Sequence, residues 1–167
     1  MKQTSARRTT ATSLLSLALA GSLAGCGGSM PRPMGEIDQL LLQAGGQTAP
    51  ALAGRWLAVI NSRGGRERVE LIDVEARAPV PLPGLNRADA QPLSVGVDAA
   101  GQKLAVVRQI EGHTELVLYR RALMGTERIA MQPSGVPRRL QLSADGRQLA
   151  VEVSRNGQWQ VDLISIP

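Results

Sequence analysis

Few side chains in these 167 residues could do chemistry, and they stand far apart. There is one cysteine, Cys26, and one histidine, His113. A single thiol excludes an intrachain disulfide and a thiolate metal cluster. One imidazole cannot build a histidine metal site. A Ser-His-Asp arrangement would need His113 between a carboxylate and a serine, and no Gly-x-Ser-x-Gly elbow occurs. His113 instead follows Gly112 in a hairpin signal, so it reads as an exposed turn residue. Asp98 and Asp145 would have to converge to act as paired carboxylates. Each belongs to the turn of a separate repeat, where a carboxylate caps backbone N–H groups. No run of alternating oxygen ligands suggests a calcium loop. Gly64-Gly65 lacks the following Lys-Ser or Lys-Thr of a phosphate cradle. The sequence therefore assigns no catalytic residue, metal site or cofactor. Arg120-Arg121 and Arg138-Arg139 read as solvated loop or strand-edge charge, within reach of lipid headgroup chemistry. Trp56 and Trp159 occupy different places in their repeats and read as core or rim packing.

Cys26 is the exception. Lys2, Arg7 and Arg8 precede a short apolar run, Leu14 to Ala20, and small residues then lead to the cysteine. The run is far below the roughly 20 residues that cross a bilayer, so residues 1–25 read as an export signal. Leu23-Ala24-Gly25-Cys26 resembles the lipobox of bacterial lipoproteins. That resemblance implies cleavage before Cys26, a diacylglycerol on its thiol and an acylated N-terminus. The expected partner is a membrane, and several acyl chains suffice for stable anchoring. Gly27, where such lipoproteins carry aspartate for inner-membrane retention, implies the periplasmic face of the outer membrane. Residues 26–35, with Gly27, Gly28, Ser29, Pro31 and Pro33, read as a flexible tether.

The mature chain would hold 142 residues, one domain's worth. Loss of Lys2, Arg7 and Arg8 leaves 16 of the 19 basic residues against 14 acidic ones, a net charge of +2. The precursor's net +5 thus overstates any attraction to polyanions. Trp56, Tyr119 and Trp159 are the only aromatic residues, too few for base stacking. Nucleic acid is not an expected partner.

The elements that would position any site come from a repeat. Gly54, Gly101 and Gly146 are 47 and then 45 residues apart, each followed by an apolar strand. A second glycine follows each by 11 residues, at Gly65, Gly112 and Gly157. The third copy alternates over Arg138–Ser143, turns at Ala144–Arg147, runs as a strand from Gln148 to Val153, turns at Asn156-Gly157 and closes with Trp159–Ile164. The second copy places strands at Leu93–Val97, Lys103–Arg108, Glu115–Tyr119 and Thr126–Met131. The first has Arg55–Ile60, Val69–Val74 and an edge piece near Val80-Pro81-Leu82. Four short antiparallel strands per 45 or so residues describe a propeller blade. Blades are expected at about 50–90, 91–135 and 136–167.

Ser143-Ala144-Asp145-Gly146-Arg147-Gln148-Leu149-Ala150, with the Asn156-Gly157 hairpin and the strand after it, resembles the WD40-like repeats of the TolB family. The usual form has proline where Ala144 stands. The resemblance covers Pro50 to Ile166 and implies a periplasmic propeller engaged in contacts with envelope proteins, the alternatives being a small-ligand or glycan sensor or the remnant of a propeller hydrolase. The expected fold is all-β: three four-stranded antiparallel blades of a partial, open TolB-like propeller within residues 36–167. Three blades do not close a ring. Two chains could pair to give six blades, one chain could form an open wedge, or the strands could merge into one sheet. The open wedge is preferred, with a homodimer expected. Residues 36–43 could give the third blade a fourth strand or form a short helix over an exposed blade face; propensity favours the helix.

Overall fold

The computed structural model describes residues 30–167; the leader and Cys26 lie outside the described residues. A helix, α1 (Gly35–Ala44), precedes eleven strands arranged as three separate antiparallel meanders. Blade one holds β1 (Gly46–Ala53), β2 (Trp56–Arg63), β3 (Arg66–Asp73) and β4 (Ala78–Val80). Blade two holds β5 (Ala90–Val97), β6 (Lys103–Ile110), β7 (His113–Arg120) and β8 (Gly125–Ile129). Blade three holds β9 (Val136–Leu142), β10 (Gln148–Arg155) and β11 (Gln158–Ser165).

Both repeat landmarks are positions of positive φ. The anchors Gly54, Gly101 and Gly146 have φ of 57°, 63° and 67°. The second glycines close two-residue hairpins, and in each both turn residues have positive φ, for example Asn156 at 50° and Gly157 at 78°. That is the type I′ turn, whose twist matches that of the strands it joins. The recurring glycines thus mark backbone conformations that side chains disfavour.

Successive blades stack face to face. Blade two lies in the middle, and its central strands are buried on both sides. Along β6, Leu104 and Val106 join the cluster shared with blade one, while Ala105 and Val107 join the cluster shared with blade three. Along β7, Val117 and Tyr119 face one way and Leu116 and Leu118 the other. The side-chain period of two explains why these runs are continuously apolar. Trp56, Ala58, Ile60 and Leu71 complete the first interface; Leu142, Leu149, Val151 and Val153 complete the second. Blades two and three approach closely where Gly96 meets Leu140 and Leu142, with no room for a Cβ.

Two expectations need correction, the strand count of blade three and the start of blade one. Blade three has three strands, not four, among the described residues. Residues 36–43 form the helix that propensity favours, not a fourth strand; they belong to α1, whose Ile37, Leu40, Leu41 and Ala44 form its one shielded stripe. Blade one starts at Gly46 rather than near residue 50, because β1 reaches back to pair with Ser62. Its alanines at 49, 51 and 53 pack toward blade two, and small residues of low strand propensity hid that strand in the sequence.

Candidate functional site

Asp98 and Asp145 do not converge; each caps its own turn. Asp98 Oδ1 accepts from the N–H groups of Gln102 and Lys103 at 2.8 and 2.9 Å. Asp145 Oδ1 accepts from the Arg147 N–H at 3.0 Å and from the Ser143 hydroxyl. Those hydrogen bonds hold the Asp145 carboxyl below the usual carboxylate range. The two turns are joined, since the Ala99 N–H donates to the Ala144 carbonyl at 2.8 Å and Lys103 Nζ donates to the Gly146 carbonyl at 3.0 Å. His113 is exposed at the start of β7. Among the described residues, no three His, Cys, Asp or Glu side chains gather as a metal site.

Arg121 is not the solvated charge that the sequence suggested. It donates to the Gly101 carbonyl at 2.7 Å and lies 5.2 Å from the centre of the Trp56 ring, with Arg55 at 4.8 Å. Trp56 is buried in this stack. Arg120 reaches the Pro167 carbonyl at 3.3 Å. Trp159, by contrast, is half exposed beneath Arg138.

One concavity was not signalled by any residue pattern. A groove of about 410 Å³ opens where the β2–β3 hairpin of blade one meets the segment entering β5. Its walls are polar and carry both signs of charge. Asn86 anchors one wall: its side-chain amide accepts from the Val69 N–H at 2.8 Å and donates to the Val69 carbonyl at 2.9 Å. The side chain thereby replaces the strand partner that β4 is too short to offer. Arg87 grips Asp89 through two hydrogen bonds, at 2.9 and 2.6 Å. That contact holds the Asp89 carboxyl below its usual range. Gln91 Nε2 donates to Glu67 Oε2 at 3.2 Å across the blade junction. Arg66 and Arg68 also line the groove and have no carboxylate at ion-pair distance among the described residues.

Beneath the groove, Arg108 pairs with Glu115 at 2.8 Å, both well buried. One Arg108 nitrogen, Nη1, has no partner among the described residues. Arg108 lines a void of about 10 Å³ together with Asn86 and Arg87, room for about one water. The pair was legible in principle: residues 108 and 115 are equidistant from the Glu111-Gly112 turn, so the hairpin register sets them opposite each other. The groove was not, because it joins segments that only blade stacking brings together.

No family model and no curated protein sequence matches the chain. Solved structures do. TolB from Acinetobacter baumannii superposes with a TM-score of 0.59 at 14% identity, over 72% of this chain and 30% of that one. The β-propeller domain of the Trilobed protease from Pyrococcus furiosus, described as having an open velcro topology, gives 0.51 at 14% identity, over 72% and 42%. An acylaminoacyl peptidase gives 0.50 at 11% identity, over 72% and 19%. The chain spans less than half the length of each. Identities this low show the fold alone, and the class is plain: a partial, open β-propeller. The same fold serves TolB and a peptidase, so it leaves open whether this chain is catalytic.

Proposed function

We propose that the protein is a non-catalytic binding module of the cell envelope, lipid-anchored through Cys26 to the periplasmic face of the outer membrane. Its ligand would be a polar, acid-bearing segment of another envelope protein. The observation that carries this reading is the groove between blades one and two. Its Asn86, Arg87, Asp89 and Gln91 are already held by hydrogen bonds, while Arg66 and Arg68 are left to meet a carboxylate. Preorganised donors beside unpaired guanidinium groups suit a hydrogen-bonding peptide partner. The propeller fold supports the reading, as does the resemblance of residues 23–26 to a lipobox.

Two measurements test it. A photo-reactive side chain at Arg68 should crosslink the full-length chain to a discrete envelope protein in intact cells, and Arg66→Glu should reduce that adduct tenfold or more. Equal labelling from Arg68 and from Gln141, on the far blade, would remove the groove from consideration. Cys26→Ala should release the chain from the membrane fraction with loss of the acyl mass; an unchanged membrane fraction would contradict the anchor.

A further inference from the structure

The sheet edges of this molecule are not alike. β1, β5 and β9 carry Pro50, Pro92 and Pro137, and each is interrupted by an irregularity in its register. The three-residue β4 has Pro79 at its centre, and β8 carries Glu127 and Arg128. These are the devices that keep an edge from pairing with another chain. The other outer edge, β11, has none of them. It runs eight residues with no proline and no break in register. Its one ionisable side chain, Asp162, is bound by Arg155 of the same hairpin.

The geometry of β11 also puts its apolar groups and its free backbone groups together. The type I′ turn makes Arg155 and Gln158 a hydrogen-bonded closing pair. Alternation then directs the N–H and C=O of Gln160, Asp162 and Ile164 toward β10, and those of Trp159, Val161 and Leu163 away from it. The side chains of these last three lie on the outer face of blade three and are 52%, 69% and 81% exposed. The rest of that face carries Arg139, Gln141, Ala150, Glu152 and Ser154, with one further exposed apolar residue, Val136, at its far edge on β9. The apolar line therefore follows the edge and does not fill the face.

We propose that β11 pairs antiparallel with β11 of a second copy, fusing two third blades into one six-stranded sheet. A two-fold axis through Val161 sets Val161 against Val161 of the other copy and Trp159 against its Leu163 on one face, and Gln160 against its Asp162 on the other. Each of the exposed apolar residues Trp159, Val161 and Leu163 meets an apolar one, and no like charges face each other. A register centred on Asp162 would oppose two carboxylates; one centred on Gln160 would strand Leu163 beyond the turn. Stacking blade three on blade one of another copy, which would build a six-blade ring, meets α1 instead of a bare sheet. An eight-residue edge buries less than a permanent dimer needs, about 1,200 Å² or more in total, so pairing is weak in dilute solution. Anchoring on one membrane raises the effective concentration. In that respect the inference rests on the envelope reading above.

The test uses the full-length chain in membranes of the expressing cells. Val161→Cys, treated with a short bismaleimide, should give a band of twice the chain's mass. Trp159→Cys and Leu163→Cys should each give little alone and a strong mixed dimer when two tagged copies are co-expressed. Glu127→Cys, on β8, is the control. Val161→Lys in the detergent-solubilised chain should weaken dimerisation at least tenfold in sedimentation, with an unchanged circular dichroism spectrum. A Val161→Cys dimer no stronger than that of Glu127→Cys would overturn the proposal, as would an adduct of any other mass. If that happens while Arg68 still crosslinks its partner, only the self-pairing fails; if both are lost, the binding-module reading fails with it.

Discussion

The two ends of the stack are built differently. At the first end, α1 spans the outer side of blade one. Glu36 pairs with Arg77 beyond β3, and the Leu41 carbonyl accepts from Gln47 on β1, so the helix runs from one corner of the blade to the other. Ile37 is buried, and so are Val59 and Ile72, which alternation places on this outer side. At the other end, Trp159, Val161 and Leu163 stand in solvent. An open propeller leaves two apolar sheet faces without a neighbouring blade. One here is closed by a helix from the same chain, and the other is kept largely polar with a single apolar strand at its rim. The first solution serves folding; the second leaves a surface for assembly.

The sharpest contrast lies within blade three. Leu149 is fully buried against blade two, whereas Leu163, on the adjoining strand, is largely exposed. Leu149→Ala should lower unfolding free energy by about 2–5 kcal/mol, read from urea denaturation of the monomer. Leu163→Ala should change it by about 0.5 kcal/mol or less. Comparable losses would mean that the outer face is covered. Next in size is the contact that seats blade one on blade two. A Cβ at Gly101 would lie 2.5 Å from the Trp56 ring, at a φ of +63°. Gly101→Ala should therefore cost about 1–3 kcal/mol and quench or shift tryptophan fluorescence; an unchanged midpoint would show that the stack yields freely. Ile37→Ala should cost about 2 kcal/mol and increase binding of a hydrophobic dye. A silent substitution would show that α1 does not cap the blade.

The smallest effect concerns acid. The Arg155 guanidinium holds the Asp162 carboxyl below its ordinary range, as Arg87 does for Asp89. A carboxyl whose pKa is depressed by folding contributes stability above its unfolded-state value, about 3.9. That contribution fades as pH falls toward the lower folded value. The denaturation midpoint should thus be level with respect to these groups down to about pH 4 and decline below it. Asp162→Asn should flatten part of that decline. The same slope in variant and parent would assign the acid sensitivity elsewhere.

Much of the fold could be read from residue types because its repeats are marked by backbone necessity. Positive φ at Gly101 and Gly146, and at the hairpin glycines, demands glycine wherever the unit recurs. The alternation within β6 and β7 encodes their two buried faces directly. Blade one was harder to read. Its Gly54-Arg55 turn is two residues long where the others take five, and it lacks the capping aspartate. The short α1 was undecided because one apolar stripe in ten residues fits either a strand or a helix, and only the sheet beneath it settles the matter. The groove was invisible for a different reason. Asn86 and Gln91 are unremarkable in sequence and gain their roles only when blade two docks on blade one.

The open end at β11 is the feature on which the comparison turns, and amide hydrogen exchange reads it directly. In a dilute monomeric sample followed by NMR, the N–H groups of Gln160, Asp162 and Ile164 should exchange slowly, and those of Trp159, Val161 and Leu163 rapidly, alternating along the strand. Uniform protection along β11 in the monomer would mean that the strand already has a neighbour on both sides, and would contradict an open third blade.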